Sequence, residues 1–136
     1  METRKSLDIS EITIEQVQEG YASKRFSCVE LTQAFIDRIN LYNNQYNAII
    51  FLNITNALEE AERIDSLLST GQNLGPLAGV PIVVKDAMDM VGFPTTGGWS
   101  LLHSKCGGVD LMPSRDSPVV ERMKKAGAII LGKTNM

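Results

Sequence analysis

The stretch that decides the fold is residues 75–86, which reads GPLAGVPIVVKD. Glycine and proline form a turn-rich lead, and an apolar run rich in strand-forming residues follows from Val80 to Val84. Successive side chains of a strand point to opposite faces, and this run is apolar on both. We therefore predict that the run is a central strand of a parallel sheet, covered by helices.

The C-terminal part of the chain predicts a second strand. Residues 116–118 read DSP, and a cap residue followed by proline is a typical helix start. Two lysines suit the last turn of this helix, and Gly127 ends it. A buried strand at 128–131 comes next. The order strand, crossover, helix, strand indicates an α/β fold.

The N-terminal part is helical by pattern. Thr13 with Gln16, and Ser27 with Glu30, have the spacing of a capping box, and apolar residues at helical spacing follow each pair. We expect the second of these helices to end at residues 43–45, which read NNQ.

A short strand at 48–52 and a third helix at 55–69 complete the first half of the chain. We describe residues 1–136 as one unit with a helical lead-in at 10–70 and a strand, loop, helix and strand at 75–136. Residues 86–115 have little periodicity, and long irregular segments are often functional.

Charge and composition exclude several classes of protein. The net charge of the 136 residues is −3, and no basic stripe is present, which argues against nucleic acid or an anionic membrane as a partner. The apolar runs are far shorter than the roughly 20 residues that a membrane span needs. The start, Met1 to Ser6, is polar and shows no export signal. We therefore expect a cytoplasmic protein with two reduced thiols.

Residues 127–134, GAIILGKT, fit the nucleotide-binding P-loop expression letter for letter. A P-loop needs a strand before its first glycine and a helix that starts at its lysine. Here a helix precedes Gly127, and the four residues between the glycines are strand formers. We interpret Gly127 as a helix C-cap and Lys133 as a strand-end residue.

Lys85 is the stronger candidate for chemistry. It ends the first predicted strand, and ligands of open α/β sheets bind at the carboxyl ends of strands. Apolar surroundings that include Val83 and Val84 would disfavour its charged form, and the neutral amine could then act as a general base. The alternative is a lysine that extends to solvent or pairs with Asp86 or Asp89. Position alone favours that alternative.

Other catalytic constellations are weak. His103 is the sole histidine, so a Ser-His-Asp site would have to include it, and we interpret it as a solvated loop residue beside Ser104. One histidine and two distant cysteines offer no zinc site. Trp99 could line a substrate pocket or fix the loop, and we favour a tryptophan that packs into the protein and fixes the loop.

Three segments in order resemble the amidase-signature family. Residues 75–86 resemble its lysine motif, residues 92–97 (GFPTTG) its next segment, and residues 116–135 (DSPVVERMKKAGAIILGKTN) the one after. The resemblance covers nearly the whole chain. It implies the N-terminal part of a large amidase-signature domain, with a mixed or parallel sheet flanked by helices. It also implies that residues 132–135 form a recurrent turn of the family.

The resemblance implies chemistry as well. Enzymes of this family hydrolyse carboxylic amides with a serine nucleophile, a second serine in a cis peptide, and a lysine that matches Lys85. The lysine would take a proton through the second serine. In the family both serines lie downstream of the segment at 132–135. We transfer no nucleophile role to the serines of the irregular region, which are Ser100, Ser104, Ser114 and Ser117. The chain is therefore expected to be a truncated fragment without activity of its own.

The resemblance further implies a small-molecule amide substrate, with no cofactor and no metal. It leaves open a general amidase, which we slightly favour, or the A subunit of a glutamyl/aspartyl-tRNA amidotransferase. A non-catalytic orphan module and a P-loop nucleotide binder are the alternatives from other classes. An exposed sheet edge would also favour self-association or a homo-oligomer.

Overall fold

The computed structural model describes residues 7–136 and contains a three-stranded sheet with helices on both faces. The strands are β1 (Ile49–Leu52), β2 (Pro81–Lys85) and β3 (Ile129–Thr134). The α-helices are α1 (Ile14–Ala22), α2 (Cys28–Tyr46), α3 (Ile54–Ser69) and α4 (Pro118–Lys125). The predicted α/β fold is confirmed. The polar start at 1–6 lies outside the described residues.

The sheet is mixed, and its order is β1-β3-β2. Strand β3 pairs with β2 in parallel and with β1 in antiparallel orientation. The prediction of a central strand at 80–84 is therefore wrong for residues 7–136, because β2 has β3 as its one neighbour there. Its outer face is also open, since the Val83 side chain is 43% exposed. The central strand is β3.

Strand β3 supplies side chains to the cores on both faces of the sheet. On one face Ile129 and Leu131 pack against α2 and α3, where Ile64 is fully buried. On the other face Ile130 packs with Val120 of α4 and with Val84 of β2. Because both faces of β3 are buried, its residues 129–131 are apolar without alternation.

The predicted capping boxes are confirmed at both helix starts. Each N-cap hydroxyl accepts from the backbone N–H three residues on, and each third side chain returns a bond to the cap. Helix α2 continues past the asparagine cluster and ends at Asn47, which has a left-handed φ of 47°. The Asn43 amide stays in the helix and bonds both the N–H and the C=O of Ile49.

The predicted turn at residues 132–135 is wrong, because β3 extends to Thr134. Gly132 makes this extension sterically feasible. A Cβ at this position would lie 2.2 Å from the carbonyl oxygen of Phe51, so a larger residue would push β1 away from β3. Gly127, in contrast, has a φ of 92° and follows α4, as its predicted C-cap role requires.

Within the described residues, no helix combines the length and the apolar character that crossing a membrane would require.

Both cysteines are free, as predicted; Cys28 is buried and Cys106 is exposed. Burial raises the pKa of the Cys28 thiol to about 11. The Cys28 thiol is therefore protonated near neutral pH.

A second cap at the start of α2 was not predicted. The Asp65 carboxylate of α3 accepts from the backbone N–H of Cys28 at 2.7 Å and of Val29 at 3.0 Å. Two donors that a helix start leaves unpaired are thus bonded to a neighbouring helix. The bond fixes the packing of α2 against α3.

Asp65→Ala is expected to lower the free energy of unfolding by about 1–2 kcal/mol, because it removes a charged cap from two backbone donors. Urea denaturation measures this difference. Glu62→Ala, an exposed change on the same helix, is the control and should shift the free energy by less than about 0.5 kcal/mol. Equal effects of the two substitutions would contradict the capping role.

Candidate functional site

Lys85 lies where the parallel strands β2 and β3 end side by side. Its ammonium Nζ donates to the backbone carbonyl of Asn135 at 2.6 Å, directly after β3. The predicted position at the carboxyl end of a strand is confirmed. The predicted apolar surroundings are wrong for residues 7–136, because Lys85 is exposed, on the open face with Val83. Val84 is buried on the opposite face.

The neighbouring residue, Asp86, is completely buried and does not pair with Lys85. Its carboxylate lies 2.9 Å from Nζ of Lys133, and both side chains have an exposure of 0%. Lys133 also donates to the carbonyl of Pro94 at 2.7 Å and to the hydroxyl of Thr95 at 3.1 Å. An ammonium group has three N–H donors, so each donor of Lys133 has a partner.

The burial of Lys133 argues against the nucleotide-binding interpretation of residues 127–134. Lys133 is the penultimate residue of β3, as its interpretation as a strand-end residue requires, and no part of its side chain reaches solvent. Three of the four residues between Gly127 and Gly132 belong to β3, so the backbone amides of this segment cannot surround a phosphate. The chain therefore has no P-loop site in this region.

The segment after β2 is attached to the same ion pair. Thr96 donates to the Asp86 carboxylate through its backbone N–H, at 3.3 Å, and through its hydroxyl. Gly97 N–H donates to the backbone carbonyl of Asp86 at 3.1 Å. Residues 94–97 are thus fixed beside the ends of β2 and β3. Trp99, two residues on, is 57% exposed, so its predicted packing into the protein is wrong.

Ser104, His103 and Asp110 lie close together, but their hydrogen bonds are not those of a Ser-His-Asp catalytic site. Asp110 contacts Nδ1 of His103 at 3.2 Å and accepts from the Ser104 hydroxyl at 2.7 Å and the Ser104 backbone N–H at 2.8 Å. A catalytic triad needs the serine bonded to the histidine, whereas here the serine is bonded to the carboxylate. The cluster is a capped turn. His103 is less solvated than predicted, since its ring packs against that of Phe51, with the two ring centroids 5.1 Å apart.

Two further features bear on binding. Within residues 7–136 no cluster of three histidine, cysteine or acidic side chains could hold a metal ion. An open apolar groove of about 640 Å³ lies between α2 and the start of β1, and its lining does not include Lys85. The candidate site is therefore the strand-end region around Lys85, with Asn135, Asp86 and Lys133.

The model of the Amidase family matches residues 30–136 of the chain. Among curated proteins, the chain is 38% identical over 130 residues to the glutamyl-tRNA(Gln) amidotransferase A chain of Alkaliphilus metalliredigens, an alignment that covers 96% of this chain and 25% of that protein. It is 38% identical over 129 residues to the protein of the same name in Salinispora tropica, covering 95% and 25%. The chain spans about a quarter of the length of these relatives.

Solved structures also resemble the chain. The native peptide amidase from Stenotrophomonas maltophilia superimposes with a TM-score of 0.81 at 29% identity, over 93% of this chain and 25% of that one. Fatty acid amide hydrolase superimposes with a TM-score of 0.79 at 27% identity, over 97% and 22%. The elements of residues 7–136 therefore match the N-terminal portion of a larger α/β fold.

The buried ion pair predicts a specific pattern of stabilities. Asp86→Asn or Lys133→Met alone leaves an uncompensated buried charge, and each should cost about 3–5 kcal/mol of unfolding free energy. The double variant should cost about 1–3 kcal/mol less than the sum of the two, because the partners interact. Urea denaturation of all three variants gives the coupling energy.

The matched control is Lys125→Met, which removes the same charge from an exposed pair with Glu121. Its cost should be less than about 1 kcal/mol. Strictly additive costs of the two buried substitutions would show that Asp86 and Lys133 do not stabilise each other.

The Asp110 cluster predicts a pH effect. The pKa of the Asp110 carboxyl lies at about 2, below its ordinary value of 3.8, because the Ser104 backbone N–H, the Ser104 hydroxyl and His103 all bond the carboxylate. A carboxyl with a lowered pKa stabilises the fold above its ordinary pKa, and this contribution is lost as the pH falls through about 2. Carbon-13 NMR of the carboxyl should record this titration.

Ser104→Ala removes the hydroxyl donor but keeps the backbone donor, so the pKa of Asp110 should rise part of the way toward 3.8. Ser100→Ala, in the same irregular segment, is the control and should leave the titration unchanged. A midpoint at the ordinary value in the unaltered protein would contradict these hydrogen bonds.

Proposed function

Because this chain belongs to the Amidase family, we propose that its residues serve the hydrolysis of carboxylic amides, with Lys85 as the proton-accepting base. The observation that carries the proposal is the position of Lys85, at the carboxyl end of β2 and bonded to the backbone at the end of β3. In open α/β sheets, ligands bind at the carboxyl ends of the strands. The proposed activity is that of a longer polypeptide to whose N-terminal part these residues correspond, since the chain spans about a quarter of the length of its relatives.

The hydrogen bond to Asn135 suits a base. The Asn135 carbonyl accepts one N–H of Lys85 at 2.6 Å and so holds Nζ in place. A base must be held within hydrogen-bond reach of the proton that it takes, and a backbone carbonyl is a rigid means of holding it.

The proposed reaction follows the resemblance. A serine nucleophile passes its proton to a second serine, whose own proton goes to Lys85, and the nucleophile forms a bond with the amide carbon. The carbon–nitrogen bond then breaks, and the nitrogen leaves as ammonia or an amine with a proton from the protonated lysine. Water finally cleaves the ester between the serine and the acyl group, which releases the carboxylic acid and restores the serine. We propose that the two serines, and the groups that shield Lys85 from water, come from polypeptide outside residues 7–136.

A second candidate is the glutamine-hydrolysing component of a tRNA-dependent amidotransferase. The observation that favours it is the identity of 38%, over 130 and 129 residues, to two amidotransferase chains. Such a component would hydrolyse glutamine and pass the ammonia on. Glutamine hydrolysis that rises when the other components are added favours this candidate; turnover of simple amides by the protein alone favours a general amidase.

Two further proposals accompany this function. Self-association through the edge of β2 is supported by the strand order β1-β3-β2, in which β2 has one strand neighbour within residues 7–136, and gel filtration at several concentrations tests it. A cytoplasmic location is supported by the two unpaired thiols. An orphan module without catalysis stays the alternative, and it would lack any amide turnover that depends on Lys85.

Lys85→Met tests the proposed base, because it keeps the length of the side chain and removes the amine. In the full-length protein we expect kcat/KM for an amide substrate to fall by about 10²–10⁴-fold. In residues 1–136 alone, where the Lys85 side chain is exposed, the same substitution should change the free energy of unfolding by less than about 1 kcal/mol. Lys125→Met, an exposed lysine of α4, is the control and should leave activity unchanged. Full activity of the Lys85→Met variant would refute the proposed role.

A further inference from the structure

Lys85 and Asp86 are neighbours that leave β2 on opposite sides. Lys85 is exposed, whereas Asp86 has no exposed surface. On both sides the residues are bonded to the end of β3: Lys85 through its side chain to the Asn135 carbonyl, and Asp86 through its backbone N–H to the Thr134 carbonyl at 3.0 Å. The location of Nζ of Lys85 therefore depends on how β2 and β3 are held together at their ends.

The ion pair between Asp86 and Lys133 permits one arrangement of these ends. The Asp86 carboxylate faces Lys133 at 2.9 Å and also accepts from Thr96, and the ammonium group has no unused donor. A buried charge cannot turn away from its partner without losing bonds that water is not present to replace. Because Lys133 pairs with Val84 in the register of the sheet, this arrangement also sets the last residues of β2.

The pair also fixes the segment that follows Lys85. Pro94 and Thr95 accept from Lys133, and Gly97 donates to the Asp86 carbonyl. The strand before Lys85 and the loop after it are thus both held by contacts with Asp86 and Lys133. Loss of either charge would let Lys85 move relative to the Asn135 carbonyl.

We propose that Asp86 and Lys133 are positioning residues for Lys85. They hold Nζ of Lys85 within hydrogen-bond reach of the group whose proton it accepts, and they do not contact the substrate themselves. The inference rests on the proposed function of Lys85. It goes beyond that function because it assigns a catalytic consequence to two residues that lie on the buried side of the sheet. A displacement of about 1 Å at a reacting group can cost about 10²-fold in rate.

The test uses the full-length protein and the variants Asp86→Asn, Lys133→Met and the double variant, with Lys125→Met as the matched control. Rates are measured well below each unfolding midpoint and divided by the folded fraction. We expect kcat to fall by about 10–100-fold in each single variant, with KM changed far less. The double variant should lose no more than the worse single one, because the two residues act as a unit.

Thr95→Val provides a variant that keeps both charges. It removes one hydrogen bond of Lys133, a loss that the fold should survive because the ion pair and the bond to Pro94 remain. Its kcat should fall by a smaller factor than that of Lys133→Met. Unchanged kcat per folded molecule in all of these variants would overturn the proposal and leave the pair with a purely structural role.

A second readout does not depend on activity. Brief treatment with an amine-reactive ester, followed by mass spectrometry, reports how accessible the Lys85 amine is. We expect labelling of Lys85 to become several-fold faster in Asp86→Asn and in Thr95→Val than in the parent, because the bond to Asn135 loosens. Identical labelling rates in folded variants and parent would overturn the proposal.

The two readouts separate the two ideas. If Lys85→Met keeps full activity, the proposed function fails, and the labelling rates alone decide whether the pair positions Lys85. If Lys85→Met is inactive while Asp86→Asn and Lys133→Met keep the parent kcat, the function stands and the positioning role fails.

Discussion

A carboxylate and an ammonium group meet without any exposure to water where β2 and β3 end side by side. Neither Asp86 nor Lys133 would be stable there alone, because an unpaired buried charge costs several kcal/mol. Their contact therefore requires that the two strands stay in register, that residues 94–96 stay close, and that water stays out. Gly132 meets a further condition, since the strand next to Lys133 must come close enough for Phe51 to cover it.

Much of the fold was predictable because its determinants are local. The hydroxyls of Thr13 and Ser27 set helix starts through bonds to the backbone N–H three residues on. The ring of Pro118 fixes a helical φ at the start of α4, and Gly127 adopts the positive φ that ends it. The order of strands was not predictable in this way. An apolar run indicates burial but does not say which strand receives two neighbours, and β2 and β3 read alike in the sequence.

The site was predictable in part. Lys85 was found from its place after an apolar strand and from the resemblance, and both criteria are carried by neighbouring residues. The ion pair was missed because its members lie in separate segments, and because the lysine was interpreted with a turn that the structure shows as strand. A usable signal was present: opposite charges at the ends of two apolar strands that were predicted to lie in one sheet. Alternation places Lys85 on the same face as Val83, but the sequence does not show that this face is open within residues 7–136.

The burial of Lys133 has a practical consequence for proteolysis. Trypsin cuts after lysine, but it needs several residues of flexible, accessible backbone, and the residues around Lys133 are the central strand of the sheet. Cleavage after Lys133 therefore requires that the sheet opens, whereas lysines at the surface report on local mobility alone. The amount of the fragment that ends at Lys133 would therefore measure the fraction of unfolded molecules, even in an unpurified cell extract.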